Sequence, residues 1–410
     1  MADSSHLPVE DIYHPEVDVE YLEDYVSGGY HPTLIGDMFC SGRYTVVHKL
    51  GLRGYSIMWL AWDYQRRCYL SLKVLTARAS PDSHEADVLH PLMKSNLTHA
   101  GKRLIPPLLD QFWFHGPNGH HQCSVREPAG CSIAKSKDDS TNFMFPPDAA
   151  RSTAAKLIEG LHLRNFLVRI PDLHGLSTAE LYKRFDKPYE IPIRRVDGKP
   201  GEPDAPPHAI YPMALNMAAN EVGDPKIIIS DYGRSFIVSQ TPSPTLYTPA
   251  LYSPPEDFFD EPITHPTAAD IWTLGVNLYE VLGERPLFET FAWDRDDIVA
   301  EMINTPGQPP VRWWNSWAKR CHFFEEWIFR RISTPVFRRL RQRLWDVGRG
   351  ETEQTCGEPC ALEDLLGVMM AFEPAERPTA DQLLRPEYMV KWALPACERQ
   401  KRQALPPTCS

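Results

Sequence analysis

Apolar and polar positions alternate with two different periods along this chain, and the change from one to the other divides it. From Arg43 short alternating runs follow one another, at 44–48, 55–60 and 68–75, each bounded by turn residues or charges. Runs of this kind read as strands, and three in close succession predict an antiparallel sheet. Residues 82–93 place Ala86, Val88, Leu89 and Leu92 on one face behind Asp82 or Ser83 as a cap, which predicts a helix. Two more strands are expected at 111–115 and 122–125. Beyond Asp148 the spacing becomes helical: one helix is expected to run from there through Leu161, and 268–282, 297–304 and 362–370 carry the helical period. A β-rich first third before an α-rich remainder predicts an α+β, two-lobed fold. Its parts would be an N-terminal extension (1–40), a small β-rich lobe (41–128), a larger helical lobe (129–390) and a polar tail (391–410). The stretch 171–224 interrupts the pattern with proline and charge and reads as an insertion in the second lobe. It contains one short helix entered through a capping box, Ser177-Thr-Ala-Glu180.

With 410 residues, 42% of them hydrophobic, the chain can bury a large core, which excludes disorder of the whole. A net charge of −11 with no long basic run argues against a nucleic-acid binder and suits a basic peptide partner better. The nine cysteines form no CxxC pair, and the closest two, Cys356 and Cys360, have no histidine at metal-ligand spacing. Free thiols in a reducing compartment are therefore expected, over a zinc site or a disulfide framework. The start, Met1-Ala-Asp-Ser-Ser-His, lacks the pattern of a signal peptide, and no apolar run of about 18 residues occurs. A soluble, monomeric protein of the cytoplasm and/or nucleus is expected, without membrane contact. Residues 1–30, with Tyr13, Tyr21, Tyr25 and Tyr30 among carboxylates, either drape over the domain or stay loose.

The candidate chemistry begins at Asp231-Tyr232-Gly233, behind the apolar run Ile227-Ile228-Ile229, where a carboxylate at a strand end reads as a magnesium ligand. Between the first two strands lies Lys49-Leu-Gly-Leu-Arg-Gly-Tyr-Ser56, whose backbone amides could cover phosphates, although Gly51 and Gly54 could equally serve turn geometry alone. Lys73, flanked by Leu72 and Val74, is either a solvated edge lysine or a cation aimed at a nucleotide and paired with Glu85. Glu127 to Ala129 could offer backbone groups to an adenine edge or be an ordinary strand exit. Farther on stand Tyr252-Ser-Pro-Pro-Glu256, Ala269-Asp-Ile-Trp-Thr-Leu-Gly275 and Pro374-Ala-Glu-Arg-Pro-Thr379. These pieces resemble, in order and rough spacing, the helical lobe of protein kinases, and that resemblance implies a buried Glu256–Arg377 ion pair and an Asp270 that ties down the catalytic-loop backbone, both structural roles.

In this order the pieces resemble protein kinases. Glu127-Pro-Ala-Gly-Cys-Ser-Ile133, His162-Leu-Arg-Asn-Phe-Leu-Val168, the insertion before Asp231 and Leu251-Tyr-Ser-Pro-Pro-Glu256 resemble the SR-protein kinase family in its fungal form. The likeness covers roughly residues 40–390. It implies a serine/threonine kinase that uses ATP and Mg²⁺ to phosphorylate serines in Arg/Ser-rich splicing factors. Position by position, Gly51, Gly54 and Ser56 resemble the phosphate-covering loop, Lys73 the phosphate-binding lysine and Glu85 its helix partner. Glu127 and Ala129 resemble the adenine-binding connector, and Asn165 and Asp231 the two magnesium ligands.

Two positions depart from the family. Arg53 stands where the loop would carry glycine, and Gly160 stands where the catalytic aspartate belongs, five residues before Asn165. A stretch of about a dozen residues ending in His-Gly-Asp-Leu or similar is missing between Gly160 and His162. Glu159 is the nearest acid and the candidate substitute base. Two readings follow: a slowed kinase, favoured by retained Lys73, Glu85, Asn165 and Asp231, or a non-catalytic scaffold for Arg/Ser-rich partners, favoured by Gly160 and Arg53. A misjoined exon would leave the same gap.

Overall fold

The alternating segments pair, as their period requires, into one six-stranded antiparallel sheet in the order β1-β2-β3-β4-β6-β5. Its strands are β1 (Met38–Phe39), β2 (Tyr44–Arg53), β3 (Ser56–Asp63), β4 (Cys68–Leu75), β5 (Asp110–Gly116) and β6 (Gly119–Arg126). The computed structural model describes residues 12–95, 100–160, 166–170, 173, 175–215, 217–223, 226–233, 235–241, 243–290, 294–324, 340, 343 and 357–403. Strand β2 extends beyond its apolar alternation because two register shifts, Val46/His48 and Lys49/Gly51, absorb the break in pattern. Helix α1 (Glu85–Lys94) follows β4 and buries Glu85, Ala86 and Leu89.

The chain divides into two units. The first takes its described residues from 1–94, 106–130 and 169–216, the second from 95–105, 131–168 and 217–410. In the first, Tyr44, Val46, Ile57, Trp59, Leu72, Val74 and Val125 of the sheet pack with Tyr13, Leu22, Tyr25 and Tyr30 of the N-terminal segment. That segment is therefore part of the core over its described residues and does not hang loose. A second cluster joins Val47, Leu60 and Tyr69 to Ile170, Leu173, Leu181 and Met213.

This second cluster corrects the place given to the insertion. Residues 169–216 belong to the β-rich unit, because the apolar side of helix Thr178–Phe185 and the chain after it bury against the sheet. Tyr182 Oη donates to the Val47 carbonyl at 2.9 Å, and Met213 N donates to the Lys49 carbonyl at 2.8 Å. The capping box forms as read: Glu180 N donates to Ser177 Oγ at 3.3 Å and Ser177 N donates to the Glu180 carboxylate at 2.8 Å.

The second unit is helical. Its helices include α2 (Pro147–Gly160), α3 (Pro266–Leu282), α4 (Glu358–Met369) and α5 (Leu394–Gln403). Helix α2 is described through Gly160, Leu161 lying outside the described residues, and α3 buries Trp272, Leu274 and Leu278 completely. The ion pair expected between Glu256 and Arg377 is present, with side-chain exposures of 4% and 0%. Arg377 donates to the two Glu256 oxygens at 2.7 and 2.8 Å and to the carbonyls of Ala268, Ala371 and Phe372, so every guanidinium donor is used. Six described cysteines carry free thiols, but Cys360, in the first turn of α4, is disulfide-bonded. That departs from the expectation for this position, since pairing follows approach in space and not spacing along the chain. No described helix is long and apolar enough to cross a membrane.

Two outcomes follow for stability. Arg377→Met strands the Glu256 carboxylate in the core and is expected to cost about 3–5 kcal/mol in urea denaturation. The second concerns His31 and His121, whose rings lie 5.3 Å apart in the first unit. Burial and then repulsion from His121 hold His31 down at about 4, and burial also lowers His121. Both folded values lie below the ordinary 6.5, so the unfolded chain takes up protons first. Their contribution is complete above pH 6.5 and is lost as pH falls toward 4. The melting temperature should drop across that range, and His31→Phe should flatten the drop.

Candidate active site

In the first unit, Arg53 pairs with Ser56 across the β2–β3 hairpin, leaving Gly54 and Tyr55 as its two-residue turn. Neither Gly51 nor Gly54 has a positive φ, and a Cβ at either would meet nothing within 4 Å among the described residues. Neither backbone angle nor packing among the described residues demands glycine at these two positions. Ser56 is buried opposite Leu75.

Strand β4 is interior, between β3 and β6, so Lys73 is not an edge residue. Leu72 and Val74 point into the core cluster, and the two-residue period puts Lys73 on the other face. Its Nζ lies 3.3 Å from Glu85 Oε2 at the start of α1. The structure thus brings Lys73 and Glu85 together as the sequence reading expected.

Glu85 also holds a residue that reading missed. Arg126 Nη2 lies 2.8 Å from Glu85 Oε1, with side-chain exposures of 7% and 4%. The contact is an ion pair more than an aligned hydrogen bond, and Arg126 Nε finds no partner among the described residues. One signal could have exposed it. Arg126 ends a strand in which every position from His121 onward is buried, so its guanidinium needs a carboxylate.

Beyond Arg126, Glu127 is half-exposed and lies 3.6 Å from Arg169. The Ser71 hydroxyl is 3.3 Å from the carbonyls of both Arg126 and Glu127, which fixes the connector against β4. Ala129 opens a short strand, Ala129–Ser132.

In the second unit, β7 (Phe166–Arg169) and β8 (Ile227–Ile229) are antiparallel, with Phe166 opposite Ile229 and Val168 opposite Ile227. The three isoleucines are buried, and the chain leaves β8 through Ser230 into Asp231. Asp231 has φ 65°, a left-handed conformation uncommon outside glycine and concentrated at functional positions. Buried Tyr232 follows, its carbonyl accepting from Ser235 N at 3.0 Å. Asn165 lies outside the described residues.

Between the end of α2 at Gly160 and the start of β7 at Phe166 the sequence holds Leu-His-Leu-Arg-Asn and no acid. Glu159 sits in the last turn of α2, its carboxylate 2.6 Å from Arg103 Nη2. It is already engaged by a guanidinium, and its backbone is committed to the helix. No group of three or more His, Cys, Asp or Glu able to hold a metal occurs among the described residues. Mg²⁺ generally takes one or two protein oxygens and completes its shell from phosphates and water. Asp231 and the amide oxygen of Asn165 are donors of that kind.

Comparison with known proteins agrees with this geometry. The model of the protein kinase domain matches residues 216–389. A serine/threonine protein kinase of Aspergillus fumigatus is 25% identical over 413 residues, covering 94% of each chain. SRSF protein kinase 3 of Homo sapiens is 35% identical over 142 residues, 34% of this chain and 25% of the relative. Protein kinase dsk1 of Schizosaccharomyces pombe is 40% identical over 114 residues, 27% of this chain and 21% of the relative. A crystallised kinase domain superposes with a TM-score of 0.56 at 16% identity, covering 88% of this chain and 98% of that one, and so shares the fold. The chain is thus similar to protein kinases, most directly over residues 216–389, and its relatives are serine/threonine kinases, SR-protein kinases among them.

Proposed function

We propose that this chain binds Mg-ATP and transfers its γ-phosphate to serines of Arg/Ser-rich proteins, slowly, because the proton-accepting aspartate is missing. The buried Lys73–Glu85 pair at 3.3 Å, seconded by Arg126, carries this reading. A lysine held by a carboxylate on an interior strand has its ammonium fixed before any phosphate arrives, which is how the fold positions nucleotide. The amides of the Gly51–Ser56 hairpin would meet the phosphates, and the Glu127–Ala129 backbone would meet the adenine edge. Asp231 and Asn165 would supply oxygens to Mg²⁺, whose charge offsets that of the phosphates. An Arg/Ser-rich substrate is supported by the SRSF protein kinase and dsk1 relatives and by a net charge of −11.

General-base assistance is worth about 10²–10⁴ in rate, whereas positioning and electrostatics supply much of the remainder. Loss of the aspartate therefore slows transfer without removing the reason to bind nucleotide. A second reading, a scaffold that binds Arg/Ser-rich partners without transfer, is favoured by Gly160 and by the engagement of Glu159 with Arg103.

The two separate in an assay of Mg-ATP-dependent phosphorylation of an Arg/Ser-repeat peptide. Slow transfer that disappears in Asp231→Asn is expected; a folded chain that captures the peptide with no transfer would establish the scaffold. Lys73→Met removes the phosphate cation but leaves Arg126 on Glu85. It should weaken Mg-ATP binding by about tenfold or more, with little change in melting temperature.

A further inference from the structure

The N-terminal segment reaches the hairpin at its tip and at its base, entirely within the first unit. At the tip, Tyr30 Oη donates to the Gly54 carbonyl at 3.0 Å. Tyr30 is buried, with 4% exposed, and burial, aided by Asp24 and Glu20, pushes its phenol up to about 12, so it remains a donor at physiological pH. The other turn residue, Tyr55, accepts through its carbonyl from Thr76 N at 2.8 Å. The next two residues after Thr76 return to the same segment: Ala77 N donates to Gly29 O at 3.0 Å and Arg78 N to Gly28 O at 2.7 Å. Asn118 closes the network, accepting from Gly28 N at 2.7 Å and donating to Tyr30 O at 2.6 Å. The tight turn that allows this requires Gly29, where a Cβ would lie 1.7 Å from the Asp24 carbonyl oxygen.

At the base, Glu20 pairs with Lys49, two residues before Gly51, and Tyr25 Oη donates to the same carboxylate. Lys49 is fully buried and Glu20 nearly so. A glycine turn has no side chain to anchor itself, and ordering it around a ligand costs conformational entropy. A donor already seated on the turn removes part of that cost before binding.

We propose that Tyr30 is a positioning residue for nucleotide phosphates, with the segment around it acting as a built-in brace of the phosphate-covering hairpin. The inference rests on the reading of that hairpin given above. A brace of the phosphate loop bears on ligands with phosphates and leaves the adenine edge, met by Glu127 and Ala129, untouched.

The test compares Mg-ATP with adenosine as calorimetric ligands of the full chain. Tyr30→Phe keeps the ring in the core and removes the donor, while Tyr13→Phe removes a buried phenol of the same segment whose hydroxyl accepts from Glu202 N at 3.4 Å. The expected result is Mg-ATP affinity lowered about fivefold in Tyr30→Phe with adenosine affinity unchanged, and an unaltered ratio of the two in Tyr13→Phe. Equal weakening of both ligands in Tyr30→Phe, or of neither, overturns the proposal. If the unaltered chain binds Mg-ATP no better than adenosine, the hairpin does not meet phosphates. That result shows before any variant is made, and it removes the reading and the inference together.

Discussion

A carboxylate buried between two cations is the constraint on which the first unit depends. Glu85 cannot be moved to water without leaving Lys73 and Arg126 in the interior, and it becomes an uncompensated buried charge only when both cations are gone. The arrangement fixes the first residue of α1 against the neighbouring strands β4 and β6. The same principle governs the second unit, where Arg377 spends every donor on Glu256 and three carbonyls. Each unit is thus pinned by a buried ion cluster whose removal costs more than any surface pair could.

The gap after α2 has the opposite character. A helix that continues to Gly160 leaves five residues before β7, and those five include no acid. The proton acceptor that the kinase resemblance would place here, and the loop to carry it, have no counterpart in the sequence. The strand pair β7–β8, the left-handed Asp231 and the Lys73 site are all present without it. Binding and metal electrostatics can therefore persist where proton transfer is impaired, because they rest on different residues.

Much of this was legible before the structure, and the pattern of success is physical. Strands of the first sheet followed from alternation, the helix at 178–185 from its capping box, and the two ion pairs from motifs that place opposite charges at fixed points of a common fold. Local signals were enough for the strands and the helix, whereas the ion pairs, one of them spanning 121 positions, were read from the family resemblance. What escaped depends on contacts distant in the chain. Arg126 looks like an ordinary strand end until its neighbours prove to be buried, and the home of residues 169–216 is decided by which sheet face accepts Leu181 and Met213. Arg103 and Glu159 are 56 positions apart, and no local pattern joins them. The register shifts in β2 likewise hide the length of that strand from any strict period.

The central claim is that a kinase-family chain lacking its proton acceptor still holds nucleotide through Lys73 and a metal at Asp231. Titration of the folded full chain with ATP, with and without Mg²⁺, tests it most directly. Saturable binding that strengthens markedly with Mg²⁺ is the expected result. Failure of the folded chain to bind ATP under either condition would contradict it.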